Sequence, residues 1–289
     1  MRFVKYQALG NDYLVLPPAT PDFELSREQV RRICHRNYGP GSDGILLGPL
    51  PSGPCDFRLR IYNPDSSEAE KSGNGLRIFS RFLWDEGLVR EEPFMVETLG
   101  GAVTCQVDAD GQMVTVGMGK VCFDGSKIPM DLSRLDPGRE SESGEVLRRK
   151  MKIAEREFEY CAASVGNPHC IVLCDRPTPE LARQYGPLIE TDARFPNRTN
   201  VQFMQILDRN NIQIEIWERG AGYTFASCSS STSAAATAYK LGLCEAEISV
   251  HMPGGEIKIT MTPDFSAVMR GPVSRICSGI LDREMFEER

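Results

Sequence analysis

A chain of 289 residues, 41% hydrophobic and 25% charged, has the composition of a globular protein and room for one large domain or two ordinary ones. A net charge of -7 without a basic block argues against nucleic acid and anionic membrane as partners, and no apolar run reaches the roughly 18–20 residues of a membrane span. Ten cysteines without a CxxC pair and only three histidines, His35, His169 and His251, argue against zinc; Met1–Tyr6 reads as a strand rather than a signal peptide, so the expectation is a cytoplasmic protein with mostly reduced core thiols.

Residues 1–8 and 12–17 read as a hairpin about Leu9-Gly10-Asn11. Ser26 caps a helix that runs to about His35, with Glu28 near its positive end. A tight loop, Gly39 to Gly44, precedes the buried run Ile45-Leu46-Leu47. Phe57–Tyr62 alternates as a strand. A helix spans Gly75 to Glu86, with Leu76, Phe79, Phe82 and Leu83 inward and Gly87 as its terminator. Strands follow near 93–98, 102–108 and 112–118. Residues 123–148 are polar, carry Pro129, Pro137, Ser141 and Ser143, and read as a linker or loop, with Asp131-Leu132 and Gly144 to Lys150 open to short elements. The pattern restarts at Phe158–Ser164. Strands recur near 200–207 and 211–217, then a helix from Ser230 to Leu241 and strands at 247–252, 256–262, 266–270 and 273–280. The last of these is expected to cross back and complete the first half.

That restart is a repeat. Ile61-Tyr62-Asn63 precedes Ser72 as Ile216-Trp217-Glu218 precedes Ser227, and Gly87 and Gly242 each follow by fifteen. Leu9-Gly10-Asn11 is echoed by Val165-Gly166-Asn167, and Gly100-Gly101 by Gly254-Gly255, at offsets of 154 to 156. The expected division is 1–120 with 274–289 in one half and 121–273 in the other. The two loop-to-helix turns are expected to face one cleft.

Ser72-Gly73-Asn74-Gly75 and Ser227-Cys228-Ser229-Ser230-Ser231 are small-residue turns before helices. Backbone N–H groups at such a helix start can cradle a carboxylate or phosphate. One such turn reads as a plain N-cap; two at matched positions favour the cradle. Glu218-Arg219-Gly220 closes an apolar strand and can hold an amino group and a carboxylate, or be a surface ion pair. Asn11, Asn63, Asn167 and Asn200 each bound a strand, as turn residues singly or as a polar lining together. His169 reads as structural.

At these residues the chain resembles the diaminopimelate epimerase family. The resemblance runs nearly end to end. It is carried by Leu9-Gly10-Asn11-Asp12, Gly41-Ser42-Asp43-Gly44, Asn63-Pro64-Asp65 with Ser67-Glu68, Gly73-Asn74-Gly75-Leu76-Arg77 and Gly166-Asn167-Pro168-His169. Phe195-Pro196 with Arg198, Asn200-Val201, Glu218-Arg219-Gly220-Ala221-Gly222, Pro253-Gly254-Gly255 and Gly271-Pro272 continue it. It implies an α/β (α+β) fold of two pseudo-symmetric domains, each a mixed barrel-like sheet around a central helix. It implies an amino-acid epimerase acting at Cα in an inter-domain cleft without pyridoxal phosphate or any other cofactor, and without metal. One cysteine thiolate would take the α-proton and a thiol on the other face would return one. Substrate contacts would fall on Asn11, Asn63, Gly73, Asn74, Asn167, Asn200, Glu218 and Arg219. The implied partner is an amino-acid-like small molecule, and a homodimer is compatible with the family.

The chain departs from the family at the reactive positions. Ser72 and Ser227 stand where the two cysteines belong. A thiol, with pKa about 8.5, can be tuned to a thiolate; a serine needs a separate base. Cys228-Ser229-Ser230 replaces Gly-Thr/Ser-Gly, Tyr223 replaces an acidic residue, and Asp192 stands where a histidine is common. The catalytic candidates are therefore Ser72, Ser227 and Cys228. Three readings follow: an epimerase with Cys228 shifted into service, a one-sided isomerase or dehydratase, or an amino-acid-binding homologue or variant without turnover.

Overall fold

A computed structural model describes residues 1–20, 22–135 and 144–287. Pro137, Ser141 and Ser143, read above as part of a linker, lie outside the described residues. The chain divides into two compact units, Met1–Gly117 with Arg270–Arg289, and Met118–Met269. The fold is mixed α/β and dominated by sheet.

The first unit begins with β1 (Arg2–Ala8) and β2 (Asn11–Leu16), an antiparallel hairpin. Its turn residues Leu9 and Gly10 both have positive φ, 56° and 90°, the backbone that matches the twist of a two-residue hairpin. α1 (Arg27–Cys34) follows, with a capping box in which Ser26 and Gln29 satisfy each other's backbone N–H. β3 (Ile45–Leu50) runs parallel to β2, and β4 (Phe57–Tyr62) returns antiparallel. After the two-residue β5 (Glu68–Ala69) comes α2 (Gly73–Asp85), then β6 (Phe94–Thr98), β7 (Gly101–Val107) and β8 (Met113–Lys120). α2 packs on β1, β2, β3 and β7. Leu76, Phe79, Phe82 and Leu83 are buried, as their spacing predicts.

The second unit repeats that order. β9 (Arg149–Ile153) pairs with β10 (Arg156–Ser164). β11 (Pro168–Leu173), α3 (Pro179–Glu190), β12 (Asn200–Asp208), β13 (Asn211–Glu218), β14 (Gly222–Thr224) and α4 (Cys228–Lys240) follow, then β15 (Glu247–Met252), β16 (Gly255–Met261) and β17 (Ser266–Pro272). β11 is parallel to β12 as β2 is to β3, and β13 to β15 as β4 is to β6. α4 packs against β10 to β13, β15 and β16. Ser230 to Ala238 are buried without a break, and their small side chains let the surrounding strands approach closely. The last strand, β18 (Ser274–Ile280), pairs antiparallel with β1 in the first unit.

α2 and α4 each start two residues earlier than the pattern suggests, because Ser72 and Ser227 are the N-caps. α3 carries no expectation above, and β9 overlaps the stretch Gly144 to Lys150, read as open to a short element, only at its end. Among the described residues no helix is long and apolar enough to cross a membrane, and none of the ten cysteines is in a disulfide.

Candidate active site

In the first unit, strand alternation decides which side chains reach α2. Leu14, Leu16, Ile45, Leu47 and Tyr62 pack with Val30 and Ile33 of α1. The residues between them therefore face the other way, toward α2. Tyr13 is one of these. Its hydroxyl lies 3.3 Å from the Ser72 hydroxyl. Gly44 makes room for the ring: a Cβ there would stand 2.6 Å from Tyr13 Cε1 and 2.7 Å from the Tyr62 carbonyl. Ser72 Oγ also accepts the Gly75 N–H at 3.0 Å, the N-cap bond that starts the helix. Gly73 is the first helical residue.

Beside this turn the two asparagines are oriented by charges. Arg77, fully buried, donates to Asn74 Oδ1 at 2.5 Å. Asn74 Nδ2 donates to Asn11 Oδ1 at 3.0 Å, and Asn11 Nδ2 to Asp43 at 2.9 Å. A guanidinium at one end and a carboxylate at the other leave only one orientation for each amide. Asn63 is not part of this chain. It donates to Ser67 within its own turn.

In the second unit the same alternation sorts β13. Trp217 and Tyr223, opposite each other across β13 and β14, pack on the core against α3, and Tyr223 donates to Glu215 at 2.7 Å. Ile216 and Glu218 face α4. Burial pushes the Glu218 carboxyl above its usual range, and the neighbouring Ser227 hydroxyl draws it partly back. Ser227, the N-cap of α4, accepts the Ser230 N–H at 3.4 Å. Tyr223, expected near the reactive end, instead serves the α3 face; the two-residue period of the strand puts it there.

Cys228 is the first helical residue of α4 and is only 5% exposed. Asn200 is also buried. Its oxygen accepts the Arg219 N–H at 3.0 Å, and its nitrogen donates to the Pro168 carbonyl at 3.0 Å. Arg219 itself is exposed and donates to the Asn197 carbonyl. Asn167 meets His169 Nε2 at 3.0 Å. Burial lowers the His169 pKa to about 3, so the ring is neutral and donates this proton to the Asn167 oxygen.

One residue of this region escaped the sequence reading. Glu190, at the end of α3, is 6% exposed. It accepts Trp217 Nε1–H at 2.7 Å and the Gly220 N–H at 2.9 Å, and Arg198 lies 3.5 Å away. It thus pins both sides of the Glu218-Arg219 dipeptide. The signal was a lone acid in a helix that went unread, although Thr178-Pro179-Glu180 is an N-cap followed by proline at the first helical position.

Comparison with known proteins bears on this geometry. The sequence profile of the family described as Diaminopimelate epimerase matches residues 3–123 and 161–276. Diaminopimelate epimerase 2 of Nostoc sp. strain PCC 7120 is 55% identical over 286 residues, covering 99% of this chain and 97% of that protein. Diaminopimelate epimerase of Desulfitobacterium hafniense is 36% identical over 291 residues, covering 97% and 98%. Among solved structures, a Bacillus anthracis phenazine biosynthesis protein of the PhzF family superposes with a TM-score of 0.66 at 16% identity, over 98% of this chain and 99% of that one. A hydroxyproline epimerase from Agrobacterium vitis superposes at 0.63 and 15%, over 96% and 90%. At such identities the structures speak for the fold alone.

Proposed function

This chain belongs to the diaminopimelate epimerase family, and on that premise we propose that it inverts Cα of diaminopimelate with serine hydroxyls in the two proton-carrying positions. It is an isomerase of the PLP-independent amino-acid epimerase class, and its partner is a small molecule. The activity of its relatives supplies the proposed substrate, and a cytoplasmic location is proposed with it.

The nearness of the Ser227 hydroxyl to the Glu218 carboxyl carries the reading. A serine cannot take a carbon-bound proton unless a base takes its own. Glu218 is that base. Its carboxylate accepts the Ser227 proton as Ser227 Oγ accepts the α-proton, and the step reverses to return one. The raised pKa brings the carboxyl nearer the range in which one group can both accept and donate. Backbone N–H groups at a helix start such as that of α4, whose positive end favours an anion, would meet charge that develops on the substrate. Arg219 would engage a substrate carboxylate, and Asn11, Asn63, Gly73, Asn74 and Asn167 its remaining polar groups. Asn200 would hold the Arg219 backbone, its oxygen accepting that N–H while its nitrogen donates to the Pro168 carbonyl. Cys228 would pack behind the turn.

Deuterium incorporation at Cα from heavy water, with LL- and meso-diaminopimelate, tests this. Inversion with exchange is expected. The acid limb of kcat/KM should show an apparent pKa above the ordinary glutamate value of about 4.3, because activity requires ionised Glu218. Glu218→Gln should flatten that limb and slow exchange by roughly 10²–10⁴-fold. Wild-type exchange rates in Glu218→Gln would sink the assignment.

A further inference from the structure

The two serines do not have like partners. Ser227 has a carboxyl; Ser72 has the Tyr13 phenol. We propose that Tyr13 is the proton reservoir for Ser72, so that the first-unit hydroxyl exchanges protons with substrate by way of a phenol while the second exchanges through a carboxyl. This rests on the reading above and names the group that reading leaves open.

The geometry carries it in three parts. Ser72 Oγ accepts one bond from Gly75 N–H, which leaves it one lone pair and its own proton. Tyr13 Oη, 3.3 Å away, can fill that lone pair as a donor, or accept the serine proton when it is a phenolate. The contact therefore works in both directions, as a reversible reaction needs. The distance is long for an O–H···O bond, but catalytic hydrogen bonds are commonly long before substrate binds and tighten afterwards. Second, Tyr13 is a built feature. It is 7% exposed on β2, and the absence of a side chain at Gly44 is what admits its ring. Third, a phenol, with a reference pKa of about 10, is far more acidic than a serine hydroxyl.

The step balances without an outside reagent. As the Cα carbanion takes the Ser72 proton, a Cα–H bond forms and the Ser72 O–H bond breaks. Ser72 regains a proton from Tyr13, whose O–H breaks to leave a phenolate, and water reprotonates the phenolate. In the reverse direction the phenolate receives the Ser72 proton while Ser72 takes the α-proton.

The test is Tyr13→Phe, which keeps the ring and deletes only the hydroxyl. In heavy water, inversion of diaminopimelate should fall by roughly 10²–10⁴-fold, the scale of general acid–base catalysis, while Cα exchange without inversion persists through Ser227 and Glu218. Inversion at the wild-type rate with an intact thermal transition would overturn the proposal. A second measurement needs no turnover. The ultraviolet phenolate titration of Tyr13, isolated as wild type minus Tyr13→Phe, should move in Ser72→Ala. An unmoved titration would show that the hydroxyls are uncoupled and would overturn the proposal on its own. If the wild-type protein exchanges no α-proton, the diaminopimelate reading falls, and the Tyr13 coupling is still decided by that titration.

Discussion

Asp12 shows how a single carboxylate anchors the strand that presents Asn11 and Tyr13. It is 7% exposed, 2.7 Å from Lys5 and 2.8 Å from Arg36. Burial by itself would raise its pKa, but the bonds from Arg36 and Lys5 outweigh burial and hold the carboxyl below its ordinary range. In the unfolded chain the group titrates at about 3.9. As pH falls the unfolded state takes its proton first, so Asp12 contributes full stability above about pH 3.9 and loses it as pH drops through the lower folded value. Asp12→Asn should cost roughly 1.5–3 kcal/mol at neutral pH, the scale of hydrogen bonds to charged groups. The difference from wild type, read from urea midpoints, should shrink below about pH 3.9. A pH-independent difference would mean that packing, not charge, holds this strand. Such a role could not be read from the sequence, which puts Asp12 at the start of a strand without showing its partners. β2 begins one residue earlier, at Asn11, and the partners of Asp12 stand 7 and 24 residues away.

At the scale of elements, most of the β-strands were legible because alternation and glycine punctuation agree. The strand at 57–62, the capped helix after Ser26 and the meander after Gly242 fall within a residue or two of their expected bounds. The failures have separate causes. β9 alternates Arg149, Met151 and Ile153 inward with Lys150 and Lys152 outward, and so many charges look like loop; lysines on a sheet are a known guard against pairing with other chains. α3 holds Gly186 and Pro187, which weaken any helical reading. Yet Gly186 is required. A Cβ there would lie 2.6 Å from both Cβ and Cγ of Trp217, atoms too near the β13 backbone to yield cheaply. Gly186→Ala gains about 1 kcal/mol of helix propensity but should lose more to overpacking, typically about 1–3 kcal/mol. The expected outcome is a lower Tm together with faster amide exchange at Gly220, since displacing Trp217 loosens the Glu190 clamp. A raised Tm would show that α3 can slide to accommodate the methyl group.

Across the whole molecule, the repeat made the fold class readable and left the chemistry ambiguous, for one reason. Both halves keep the landmarks that build a capped helix inside a sheet, while the functional differences sit at single positions. Offsets near 155 match Tyr13 with His169, Asn63 with Glu218, and Asn74 with Ser229. Only with coordinates does Ser72 acquire a phenol and Ser227 a carboxyl. Ser72→Cys combined with Ser227→Cys tests whether the remaining substrate-binding residues still act as those of the family. The double variant should invert diaminopimelate faster than the parent, because a thiol needs less help than a hydroxyl to become a base. A variant that binds another amino acid but leaves diaminopimelate untouched would place the difference in substrate choice instead.

The pairing of β18 with β1 has a consequence for how the protein is made. Leu281 N–H bonds the Met1 carbonyl across 280 residues of chain. The unit that emerges first from the ribosome therefore lacks one of its strands until residues 118–269 have been synthesised, whereas those residues are contiguous and can close as soon as they are out. Until then β1 presents an unpaired edge, the kind that recruits wrong neighbours. The half begun first is the half finished last.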